Sequence, residues 1–110
     1  MDALKNGIIQ SKKYCMPLAK IKDFLLKPGA KHSEEFFEVG YSTGDIFRLN
    51  KDIETLFDET KAQDKKNFPD GRQRFSIFMD LGVNVKKRFR TVWQRDTEDS
   101  KPRFITAHRE

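Results

Sequence analysis

Phe75-Ser76-Ile77-Phe78-Met79, Phe89-Arg90-Thr91-Val92-Trp93 and Arg103-Phe104-Ile105-Thr106-Ala107-His108 are the three runs whose reading decides the fold. Each is rich in aromatic and β-branched residues and is bounded by turn formers: Gly71 before the first, Gly82 and Asn84 before the second, Pro102 ahead of the third. Such side chains pack well on a pleated surface, and links this short join antiparallel neighbours. The last third of the chain is therefore expected to be a twisted antiparallel β-sheet.

Upstream of these runs the apolar period changes. Residues 60–68 are polar and Lys-rich and lead into Pro69-Asp70-Gly71, which reads as a connecting loop and turn. Before it, Ile46, Leu49, Ile53, Leu56 and Phe57 recur in steps of three and four behind Ser42-Thr43-Gly44-Asp45, the pattern of a capped helix and the longest in the chain. Ser33 followed by Glu34 and Glu35 reads as the N-cap and acidic first turn of a shorter helix carrying Phe36, Phe37 and Val39, which Gly40 ends. Leu18, Ile21, Phe24 and Leu25 mark another helix with one buried face, entered through Pro17 and stopped at Lys27-Pro28-Gly29. Residues 1–16, with Gly7 and the Lys12-Lys13 pair, lack a period and read as a partly ordered lead-in to a single domain over 17–110. The fold class expected is α+β, with the helices of residues 17–57 packed on one face of the sheet.

Composition narrows the functional classes. With 36% hydrophobic and 35% charged residues and 10 Phe, a 110-residue chain can bury a Phe-based core under a densely charged surface. No apolar run is long enough to span a membrane or to serve as a secretory h-region. The single Cys15 cannot make an internal disulfide, and no Cys/His spacing suits zinc. No metal and no cofactor is expected.

The net charge of +5 is unevenly placed. Residues 84–95 hold Lys86, Lys87, Arg88, Arg90 and Arg95 without an acid, which suits a polyanion partner or, equally, a strand edge guarded by cations. Lys31 and His32 precede a helix start, where backbone N–H groups can hold a phosphate, although such a pair on a loop is more often plain surface. Strand alternation sets Thr91 and Trp93 on the same side as Thr106 and His108, and Arg90 and Arg103 on the other. Glu54, Asp58 and Glu59 are assigned no chemistry.

A longer set of motifs carries a resemblance. Lys27-Pro28-Gly29-Ala30-Lys31-His32, Glu35-Phe36-Phe37, Val39-Gly40-Tyr41, Leu81-Gly82-Val83, Phe89-Arg90-Thr91-Val92-Trp93 and Lys101-Pro102-Arg103-Phe104-Ile105-Thr106-Ala107 together resemble the C-terminal toxin domain of contact-dependent growth inhibition and related polymorphic toxins. Domains of that kind are similar to the barnase, EndoU, colicin and RelE group of ribonucleases, with helices followed by a twisted antiparallel sheet.

The resemblance implies a metal-independent endoribonuclease that cleaves tRNA by 2′-hydroxyl attack, leaving a 2′,3′-cyclic phosphate. It implies catalytic roles for Lys31 and His32 first, Thr91 and Thr106 next and His108 third, with Arg88, Arg90, Trp93 and Arg103 holding RNA. It further implies delivery from a larger secreted or cell-surface effector into the cytoplasm of a target bacterium and a cognate immunity protein, expected to be acidic. In some relatives elongation factor Tu presents the tRNA. The alternatives are a non-catalytic nucleic-acid-binding module with a basic sheet, or a protein-docking domain whose charges are incidental.

Overall fold

The computed structural model describes residues 3–5 and 7–110, with side chains from residue 7 onward. It is an α+β fold on one mixed sheet. The strands are β1 (Ala3–Lys5), β2 (Ile8–Gln10), β3 (Cys15–Pro17), β4 (Gln63–Asn67), β5 (Gln73–Leu81), β6 (Lys87–Arg95) and β7 (Arg103–Arg109), in the spatial order β1-β2-β3-β7-β6-β5-β4. A π-helical turn (Lys20–Leu25), two α-helices, α1 (Ser33–Glu38) and α2 (Ile46–Leu56), and a 3-10 turn (Glu59–Lys61) lie between β3 and β4.

The three central strands β5, β6 and β7 pair antiparallel, as their composition demands. The sheet as a whole is not antiparallel, because β3 meets β7 in parallel at Cys15 and Arg103, where the Cys15 amide donates to the Pro102 carbonyl at 2.9 Å. That joint corrects the expectation of a lead-in. Residues 8–17 form a hairpin: the Ser11 amide donates to the Tyr14 carbonyl, Lys12 and Lys13 are exposed at its turn, and Ile9, Tyr14 and Met16 are buried. Strands of three residues are too short to show a period of two, which is why they could not be read. The polar run after Thr60 is also more ordered than expected, since β4 pairs with β5 through an irregular register. All five β4 residues are exposed, so no apolar alternation marks the strand.

One face of the sheet carries the core. Phe75, Ile77, Met79, Leu81, Phe89, Thr91, Trp93, Phe104 and Ala107 are buried with Leu49 and Ile53 of α2, Phe36 of α1 and Ile21 and Leu25 of the π-turn. Trp93 is the hub: Tyr14, Phe57 and Phe104 rings lie 4.8, 4.7 and 5.3 Å from it. The opposite face presents Arg74, Phe78, Arg88, Arg90, Val92, Thr106 and His108, each partly or fully exposed, with Ser76 and Gln94 buried among them.

Two details of local structure set up the site. The backbone of the π-turn is wider than an α-helix, the Leu26 amide reaching the Ile21 carbonyl five residues back. The extra width leaves Ile21, Leu25 and Leu26 buried but swings Phe24 outward to 59% exposure, correcting the expectation that it shares their face. Second, α1 is pinned at its far end: the Val39 carbonyl accepts from the amides of Val83 and Asn84 in the β5–β6 turn. Gly40 follows with φ +105, and a Cβ there would meet the Asn84 backbone nitrogen at 2.9 Å, so both conformation and space require glycine.

Candidate active site

The segment between the π-turn and α1 folds back on itself. The Ser33 hydroxyl and amide both donate to the Ala30 carbonyl, at 3.1 and 3.3 Å, which places Lys31 and His32 at the tip of a tight turn. His32 rather than Ser33 is the residue preceding the first helical turn, and Ser33 is buried inside it. With only six residues, α1 has little dipole to offer an anion, which leaves side chains as the groups able to hold one here.

This turn meets the end of β7. The rings of His32 and His108 lie side by side with centroids 5.3 Å apart. Lys31, His32, Thr106 and His108, with Phe24 and Leu25, line a cleft of about 480 Å³. More than seventy residues separate the two halves of this cluster.

Each imidazole has one nitrogen engaged. His32 Nδ1 lies 3.0 Å from Glu35 Oε1, and His108 Nδ1 lies 3.1 Å from the Arg109 carbonyl. Both partners are acceptors, so each Nδ1 carries a proton and Nε2 is the nitrogen left for a substrate. Among the described residues neither Nε2 has a protein partner. Thr106 adds a hydroxyl on the same side of β7 as His108, and Lys31 adds an exposed ammonium.

Glu35 is the residue that sequence reading missed. Its Oε1 accepts from the Arg109 amide at 3.2 Å as well as from His32, so one carboxylate ties α1, the imidazole and β7 together. The signal was present, since positions three apart at a helix start face each other. An acidic first turn already accounted for a glutamate there. If this cleft cleaves RNA, Glu35→Ala should lower kcat/KM on the order of a hundredfold through misplacement of His32. Glu35→Gln keeps an acceptor and should recover most of that loss at an unchanged melting temperature. Equal defects in both variants would show that the carboxylate does not act as an anchor.

The register of β7 corrects the expected partnership of the two threonines. Thr91 pairs with Ala107 and Val92 with Thr106, whereas Trp93 pairs with Phe104, so the ladder shifts between Val92 and Trp93. Thr91 and Thr106 thus lie on opposite faces. Thr91 is fully buried, donates to the Ile77 carbonyl at 2.6 Å and accepts from the Trp93 indole N–H at 2.8 Å. Neither Thr91 nor Trp93 can touch RNA in this arrangement; together they form a polar lock inside the core.

The arginines remain at the surface, each with an acidic neighbour. Arg90 donates to Ser76 Oγ at 2.8 Å and pairs with Asp64 at 3.0 Å. Arg88 pairs with Glu110 and lies 4.7 Å from the Phe78 ring centroid. Arg103 pairs with Asp96, whose carboxyl is held below its usual range by hydrogen bonds from Arg103 and Gln94. Exposed pairs of this kind contribute about 0–1 kcal/mol, so a phosphate can compete for these guanidinium groups. Arg90 stands directly opposite His108 in the ladder.

Comparison with family models, curated proteins and solved structures returned no match. Among the described residues no three of His, Cys, Asp and Glu converge as metal ligands, and no helix is long and apolar enough to cross a membrane.

Proposed function

We propose that the cleft between the Lys31-His32 turn and β7 is the active site of a metal-independent endoribonuclease acting on tRNA, in a toxin domain of the contact-dependent growth inhibition type. The observation that carries the reading is the pair of imidazoles at 5.3 Å, both with Nδ1 engaged and Nε2 presented, beside a threonine hydroxyl and a lysine. RNA cleavage needs such a set. One Nε2 removes the proton of a ribose 2′-hydroxyl, O2′ bonds to phosphorus, and the bond from phosphorus to O5′ breaks as the other, protonated imidazole gives its proton to the leaving oxygen. The products are a 2′,3′-cyclic phosphate and a 5′-hydroxyl. Lys31 and Thr106, which line the same cleft, would donate to the phosphorane oxygens as charge builds on them. Arg90, Arg88 and Arg103 would hold the flanking backbone.

Purified protein incubated with tRNA should cut it in excess EDTA, and the new ends should be a cyclic phosphate and a 5′-hydroxyl. Activity that EDTA abolishes and Mg²⁺ restores would reject this chemistry. RNA binding with no cleavage would favour the non-catalytic module, which makes no demand on two apposed histidines.

The rest of the proposal follows the motif resemblance: delivery by a larger effector, action in the target cytoplasm, presentation of tRNA by elongation factor Tu in some systems, and neutralisation by an immunity protein. A surface that attracts phosphates also attracts carboxylates, so the inhibitor should be acidic and should cover Lys31 and Arg90. The same assay reads this part: an inhibitory partner whose footprint leaves the cleft and Arg90 open would count against it.

A further inference from the structure

Beside the imidazole cleft lies a smaller one of about 200 Å³, lined by Lys20, Phe24, Leu25, Phe104, Ile105 and Thr106. The two share Phe24, Leu25 and Thr106 as walls. Its floor is apolar, from buried Leu25 and Phe104, and its rim is polar, from Lys20 and Thr106. Phe24 is 59% exposed, and Lys20 Nζ lies 5.5 Å from its ring centroid. An aromatic ring displayed at a cleft has a cost in water that its neighbours on the π-turn, Ile21 and Leu25, avoid by burial. The site is also small: it suits one flat ring system, not a helix or a peptide strand.

We propose that this second cleft receives one unpaired nucleobase adjoining a phosphate bound in the cleft that His32 and His108 line, with Phe24 as its stacking surface. The inference rests on the ribonuclease reading and adds a substrate requirement to it. A base in a duplex is stacked on both sides and cannot offer a face to Phe24, so the enzyme should select single-stranded loops. Lys20, at the ring and at the rim, is placed to meet the phosphate on the far side of that base. Thr106 is common to both clefts and would mark the boundary between base and reacting phosphate.

The test uses a synthetic single-stranded RNA spanning the mapped cut, made with an intact or an abasic nucleotide on each side of it in turn. Wild-type protein should cut the intact RNA roughly tenfold to a hundredfold faster than the RNA lacking the base on one flank, the usual range for loss of one base stack. Phe24→Ala should cut both at the slow rate, and Phe24→Tyr should retain the preference. Because Phe24 is largely exposed, these variants should fold normally. Wild-type indifference to both abasic positions, or Phe24→Ala activity equal to wild type on intact RNA, would overturn the nucleobase site alone. Failure of wild-type protein to cut intact RNA would overturn the ribonuclease reading and this proposal with it.

Discussion

His32→Ala and His108→Ala should each lower the rate of RNA cleavage by roughly a hundredfold to ten-thousandfold, the usual contribution of a positioned acid or base. Both side chains are partly exposed at the cleft, so their removal should leave the melting temperature nearly unchanged. The double variant should be hardly worse than the worse single one, because two groups that act on one proton-transfer sequence do not contribute independently. Losses below tenfold in both single variants, measured as kcat/KM on tRNA with folding checked by circular dichroism, would remove the imidazoles from the chemistry.

The second large effect concerns stability. Trp93→Ala should destabilise the fold by about 3–5 kcal/mol, as expected for an emptied aromatic site. A domain of this size has roughly 5–15 kcal/mol in total, so this variant is expected to be marginal. Its ring meets Tyr14, Phe57 and Phe104, which come from the N-terminal hairpin, the end of α2 and β7. Losing it unties three parts of the chain at once. Thr91→Val should cost about 1–3 kcal/mol, since the indole N–H is left buried without its acceptor. At temperatures where it stays folded, Thr91→Val should cleave RNA at the wild-type rate. Urea unfolding separates the possibilities: a variant as stable as wild type but inactive would return Thr91 to the active site.

Much of the frame was legible. The observed strands β5, β6 and β7 extend the expected runs by two residues or fewer at each end, and α2 matches its apolar period. These elements are long, and each buries one face, so their sequences repeat the period several times. The Lys31-His32 turn was expected to meet Thr91 or Thr106; it shares a cleft with Thr106, whereas Thr91 is buried in the core.

What was hidden has identifiable causes. The shift in β7 puts Phe104 and Ala107, three residues apart, in the core, and the neighbours Ile105 and Thr106 are compatible with either face. Apolar pattern cannot locate an extra residue when both flanking side chains suit both environments. Thr91 and Trp93 took roles at RNA from the motif resemblance, although a tryptophan in a strand is as readily core; here their polar atoms satisfy each other inside it. Phe24 was misplaced by assuming 3.6 residues per turn where the backbone adopts a wider one.

Cleavage by the proposed route requires the two imidazoles to act in opposite protonation states, and the pH dependence of kcat/KM on tRNA tests that most directly. Among the described residues Glu35, Lys31, Arg90 and Arg109, the last paired with Glu38, are ionisable groups beside the pair. Wild-type protein should show a rate that rises and then falls with pH, and His32→Ala and His108→Ala should each lose one limb, not the same one. A wild-type profile that both variants retain in full at any residual rate would contradict the account.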